Sequence, residues 1–123
     1  MKMIEIKLRC WDTGINFMYY DADCYNIYNE CDNGLHSGYE DKYGVWHQNK
    51  IMQYSGLNDK NDVEIYNGDI LGHEDTFFEV IYKDASYQLY SISHNSYRLL
   101  SSLNNYMCVV GNIYENPELL EKL

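Results

Sequence analysis

Proline is almost missing from this chain, basic residues are scarce, and no apolar run is long. One Pro and 8 Gly in 123 residues exclude a Pro-rich spacer and a Gly-rich low-complexity array. Nine Lys and Arg stand against nineteen Asp and Glu, a formal net charge of −10. Affinity for a nucleic-acid backbone comes from Lys and Arg displacing counterions, so no direct nucleic-acid binding is expected. No apolar stretch approaches the roughly 20 residues that a membrane span needs. The opening Met1–Lys7 alternates charged with apolar residues instead of presenting a secretory leader. A cytoplasmic protein is the expectation. Its cysteines (Cys10, Cys24, Cys31, Cys108) have no zinc-knuckle or redox spacing, and its histidines (His36, His47, His73, His94) are scattered. They read as reduced thiols, with Cys10 and Cys108 buried as small hydrophobes, and neither metal nor cofactor is expected.

What the chain has in excess is tyrosine, 14 in all, and tyrosine suits a pleated, half-buried surface. Ile4, Ile6, Leu8 and Cys10 alternate with Glu5, Lys7 and Arg9, which predicts a strand with one apolar face. Asp12-Thr13-Gly14 turns it back into Ile15–Tyr19, making a hairpin. Cys24–Tyr28 has the composition of a further short strand. Leu35–Asn49 is polar, Gly-dotted and aperiodic, and reads as loop with at most a short strand at Val45–His47. Ile51–Tyr54, Glu64–Tyr66, Asp69–Leu71, Thr76–Tyr82, Tyr87–Ile92 and Tyr106–Ile113 read as strands, with Lys83–Ser86 as a hairpin turn and Gly111 as a bulge. Tyr97, Leu100 and Leu103 are spaced by three, which suits one or two helical turns or an irregular crossover. Asn116 and Pro117 mark the start of a short C-terminal helix. With no β–α alternation the fold class is mainly β, all-β or β-rich α+β. The expected architecture is a single domain over 1–123. Residues 1–50 supply an N-terminal hairpin and a variable loop region, packed on a small SH3-like barrel over 51–123.

Three segments carry a family resemblance: Lys7–Asp12, Gln53–Ile70 and Val110–Leu119. In them the chain resembles the YopX family of bacteriophage and prophage proteins of Gram-positive bacteria. The resemblance covers nearly the whole chain apart from Ala22–Lys50. It implies a mainly β fold, a phage origin and self-association into a homo-oligomer, and it implies no activity. The motif residues Trp11, Tyr54, Gly56, Leu57, Asp59, Tyr66, Gly68, Asp69, Gly111, Asn112, Tyr114 and Pro117 read as structural. One departure stands out. Where an Asn-Gly turn is expected the chain has Asn61-Asp62-Val63, so an Asn or Asp must supply any positive backbone angle.

Catalytic chemistry finds no foothold. His73-Glu74-Asp75 sets an imidazole beside two carboxylates, but at a hairpin tip such neighbours point apart and read as a solvated loop. The acids of the first third lack the alternate spacing, Gly and closing Glu of a calcium loop. Ser55-Gly56 lacks a nucleophile elbow, and no Gly-rich phosphate cradle exists. The reading is a non-enzymatic phage-encoded binding protein, an accessory or counter-defence factor. Its acidic surface would engage a basic bacterial host protein, possibly a nucleic-acid-binding one. The candidate contact residues are Asp21, Asp23, Glu30, Asp32, Glu40 and Asp41, all but Asp21 within the variable segment Ala22–Lys50. The alternative is a homo-oligomer that binds or sequesters a small nucleotide-like ligand.

On the acidic-surface reading, replacing those six carboxylates with Asn or Gln weakens partner binding and leaves thermal stability nearly unchanged. Affinity also falls steeply with salt, because exposed charges are screened beyond roughly 8 Å at physiological ionic strength. Titration calorimetry across a salt series checks both. Binding that survives the substitutions and high salt rules that reading out.

Overall fold

Thirteen consecutive residues, Trp46–Asn58, form one strand shared by two differently built parts of the chain. The computed structural model describes residues 6–20, 28–30, 34–91 and 93–122. Over these the chain divides into two compact units, Ile6–Gln53 and the residues from Tyr54 onward.

In the first unit, β1 (Leu8–Asp12), β2 (Phe17–Tyr20), β3 (Tyr28–Glu30), β4 (Gly34–Glu40) and β5 (Trp46–Asn58) form an antiparallel sheet in the order β2-β1-β5-β4-β3. The β1–β2 hairpin stands where alternation predicts it, with Asp12 paired to Phe17 and Asn16 at φ 54° in the turn. The single apolar face does not. Arg9, Cys10, Trp11 and Asp12 are all buried, so both faces of β1 are covered. Arg9 Nε donates to Met52 Sδ at 3.4 Å, and Asp12 Oδ1 accepts from the Gly14 amide at 2.8 Å.

The expected loop over Leu35–Asn49 is instead a hairpin, with Ser37 opposite Asn49 and Glu40 opposite Trp46. Its Gly38 gives the segment the composition of a loop. A Cβ at Gly38 would come within 2.6 Å of the Trp46 ring and would also strike the His47 carbonyl. The glycine therefore admits a close neighbour to the strand instead of breaking it. The proposed strand at Cys24–Tyr28 falls mostly outside the described residues, and β3 begins only at Tyr28.

The second unit contains β6 (Glu64–Tyr66), which pairs with the end of β5, then β7 (Asp69–His73), β8 (Thr76–Lys83), β9 (Ser86–Ser91), β10 (Ser96–Leu99), α1 (Leu100–Leu103) and β11 (Cys108–Asn112). One antiparallel sheet runs β10-β9-β8-β7-β11, so β10 and β11 are its edges. Ile65, Leu71, Val80, Leu89, Leu100 and Met107 form the core on one side of this sheet. The fold is mainly β, its helix limited to α1 and to 3-10 turns at Asn104–Tyr106 and Pro117–Lys122 among the described residues.

Two local expectations change. Tyr97 belongs to β10, because its ring stacks on Tyr90 across the pair at 4.7 Å; only Leu100 and Leu103 of that spacing are helical. The C-terminal turn is 3-10, and Asn116 Oδ1 accepts from the Asn112 amide at 3.1 Å rather than capping it. Cys108 is half-buried, with Asn61 Nδ2 3.2 Å from its sulfur.

The β8–β9 loop is Asp84-Ala85, with φ of 52° and 60°, between the paired Lys83 and Ser86. Both angles positive define a type I′ turn, and an alanine in the left-handed region costs roughly 1–2 kcal/mol. Ala85→Gly is expected to raise stability by about 0.5–1 kcal/mol after its greater unfolded-state entropy is subtracted. A urea denaturation midpoint measures the gain.

Candidate functional site

The turn after β5 is organised by one carboxylate. Asp59, 5% exposed, accepts from the Asn61 and Val63 amides through Oδ1 at 2.8 and 2.9 Å. Its Oδ2 accepts from the Val109 amide of β11 at 2.8 Å. Asp62 takes the positive φ, 65°, that the missing glycine would have supplied. The turn also holds the segment before β11: Asn104 Nδ2 donates to the Asn58 carbonyl at 2.7 Å, and the Lys60 amide to the Met107 carbonyl at 3.1 Å.

The other motif residues make comparable joints. Tyr54 packs its ring on Tyr66 at 5.7 Å and donates its hydroxyl to Asn58 Oδ1. Asp69 Oδ2 accepts from the Tyr66 amide at 2.8 Å, across a turn in which Gly68 has φ 89°. Gly56 adopts φ +84°, and Leu57 packs against the core. Asn112 Oδ1 accepts from the Tyr114 and Glu115 amides at 3.0 and 2.8 Å. A Cβ on Gly111 would meet Asn116 at 2.5 Å, at the point where the β11 register shifts against β7. Trp11 is buried in β1, Tyr114 is half-buried, and Pro117 opens the last 3-10 turn.

A concavity of about 320 Å³ lies in the second unit, on the core-facing side of the sheet. Its position follows from register. His73 pairs with Thr76, Leu71 with Phe78, Ser96 with Ser91 and Arg98 with Leu89, so all eight residues share the face that carries the core. Phe78, Leu103 and Met107 line the groove with apolar surface. His73, Thr76, His94, Ser96, Arg98 and Tyr106 contribute the polar groups. The Arg98 side chain makes no hydrogen bond or ion pair among the described residues. His94 Nδ1 lies 3.0 Å from Ser93 Oγ and 3.3 Å from Ser91 Oγ. When a serine donates there, the neutral ring carries its proton on Nε2. His73 is exposed, and Glu74 Oε1 stands 4.0 Å from its Nε2.

The six acids read from the sequence are not assembled into one described surface. Asp21, Asp23 and Asp32 lie outside the described residues, and Glu30 is placed only by its backbone in β3. Glu40 is exposed at the end of β4. Asp41 is engaged in its own turn: Oδ1 accepts from the Tyr43 and Val45 amides at 2.8 and 3.0 Å, and Oδ2 is 2.8 Å from His47 Nε2. The His47 hydrogen bond, aided by the Val45 amide, holds this carboxyl below the usual aspartate range.

A family model, the YopX protein, matches residues 7–121. The chain belongs to the YopX family. A YopX-type fold also appears in two crystal structures. Protein EF1440 from Enterococcus faecalis is 26% identical, with a TM-score of 0.62 over 96% of this chain and 99% of that one. Protein YopX from Bacillus subtilis is 18% identical, with a TM-score of 0.57 over 93% of this chain and 95% of that one. No curated protein matches.

None of the twelve motif residues of this YopX-family chain lines the groove. Sequence reading missed it, because His73 is far from His94 and Arg98 in sequence and comes onto their side of the sheet only through strand register. His73, read as part of a solvated tip, is indeed exposed there, yet it also lines the groove.

Asp59→Asn replaces an acceptor oxygen with a donor facing a backbone amide. The variant is expected to lose roughly 2–3 kcal/mol of folding free energy, the cost of leaving buried N–H groups without acceptors. Chemical denaturation measures the loss, and hydrogen exchange at Val63 and Val109 locates it.

Proposed function

We propose that this is a non-enzymatic binding protein, encoded by a phage and acting in the cytoplasm of the bacterial host, that holds a small nucleotide-like ligand in the groove of its second unit. The observation that carries this reading is the groove itself. Apolar surface from Phe78, Leu103 and Met107 is combined with a few polar groups in one concavity, which is the usual make-up of a small-ligand site. Its volume, about 320 Å³, sits at the lower end of the roughly 300–1,000 Å³ common for such sites. A ligand of mononucleotide size fits that scale better than a dinucleotide.

This reading takes precedence over the acidic surface for a geometric reason. Asp41, one of the proposed contact acids, is already held by two amides and an imidazole. The excess negative charge then serves solubility and repels non-specific anionic polymers. Self-association into a homo-oligomer is part of the proposal and is measured by native mass spectrometry of the same preparation.

Filling the groove tests the proposal. Leu103→Trp is expected to abolish binding of mononucleotides in titration calorimetry, while the carboxylate substitutions leave that binding unchanged. Mononucleotide binding by the wild type that Leu103→Trp does not affect refutes the location. Absence of binding by any small aromatic anion at millimolar concentration refutes the function.

A further inference from the structure

We propose that the groove is selective for a phosphomonoester on an aromatic body, with Arg98 reading the phosphate, His94 as a second donor, and Phe78 and Tyr106 flanking the ring; this rests on the groove being a ligand site. The chain carries nineteen carboxylates and nine basic side chains, yet none of the nine residues lining the groove is acidic. Two of its four histidines line this one concavity, together with an arginine. The lining is thus basic in a chain that is acidic as a whole.

Arg98 is the one permanently charged group in the lining. Two other cations are engaged: Arg9 is buried against Met52, and Lys83 Nζ lies 3.7 Å from the centre of the Tyr97 ring. Arg98 has neither a carboxylate nor a hydrogen-bond acceptor among the described residues, although acids outnumber bases about two to one. A guanidinium presents five N–H donors in a fixed fork that suits planar or tetrahedral oxyanions.

The remaining polar groups distinguish between those two shapes. His94, Thr76 and Ser96 bring donors from the 93–95 turn, from β8 and from β10. Donors from three separate elements beside the guanidinium are more than the two coplanar oxygens of a carboxylate need, and they suit the three terminal oxygens of a phosphomonoester. A phosphomonoester also carries about −1.5 to −2 charge at neutral pH, whereas a diester carries one negative charge and one fewer terminal oxygen. For the aromatic body, Tyr106 is 66% exposed at the groove and Phe78 is half-buried within it. Ring faces of this kind accept a base without reading its identity.

Titration calorimetry on the full chain with AMP, UMP, adenosine, 3′,5′-cyclic AMP and inorganic phosphate tests the assignment. AMP and UMP are expected to bind at least tenfold more tightly than adenosine, cyclic AMP or phosphate alone. Arg98→Gln should lower AMP affinity tenfold or more while leaving adenosine affinity unchanged, and Arg98→Lys should fall between. Thermal denaturation confirms that both variants fold, since Arg98 is exposed. Equal binding of AMP and adenosine, both blocked by Leu103→Trp, overturns the phosphate assignment and leaves the groove reading standing. AMP affinity unchanged in Arg98→Gln likewise overturns it. If no compound of the set binds, the groove reading falls and this inference with it.

Discussion

The second unit depends on where the carboxylate of Asp59 sits. A buried carboxylate is tolerable only when its oxygens are satisfied, and here three backbone amides do so. Two of these donors lie within four residues and shape the turn; the third belongs to β11, an edge of the five-stranded sheet, fifty residues further on. A single side chain thereby converts a local turn into a long-range tie. The same turn fastens Asn104 and Met107 through its own backbone. The groove wall formed by Tyr106 and Met107 is thus positioned by residues that do not line the groove.

This separation explains what could be read from the sequence. Thr76–Lys83 and Ser86–Ser91 were legible because β-formers flank a short turn, and the Gly111 bulge because glycine inside a strand marks irregular pairing. The left-handed residue of the Asn58–Val63 turn was legible in kind, since only Asn or Asp was available, and it proved to be Asp62. The β4–β5 hairpin was not, because its polar residues and glycine mimic a loop until the neighbouring Trp46 ring is in place. Tyr97 deceived in the opposite sense, its spacing suggesting a helix while its stacking on Tyr90 holds it in a strand.

The groove lay beyond sequence reading altogether. Its apolar residues are indistinguishable by type from core residues, and Met107 is both. Its polar residues come from β7, β8, the turn before β10, β10 itself and the following 3-10 turn. Only the pairing of His73 with Thr76 and of Arg98 with Leu89 turns that scatter into one face. Net charge pointed elsewhere, towards the acids of the first third. Summed charge describes what a protein repels at a distance, and local composition decides what a cleft accepts.

The turn at Asn67-Gly68 sets how the molecule ages. An Asn-Gly pair loses ammonia when the glycine nitrogen attacks the asparagine side-chain carbonyl, a reaction that needs a mobile backbone. Here the Gly68 amide donates to the Val80 carbonyl at 2.8 Å, and the Gly68 carbonyl accepts from Ile113 at 2.9 Å. The nucleophile is held away from its target on both sides. Deamidation at this site therefore proceeds only from opened molecules, and isoaspartate at position 67 becomes a chemical record of how often this corner of the sheet has come apart.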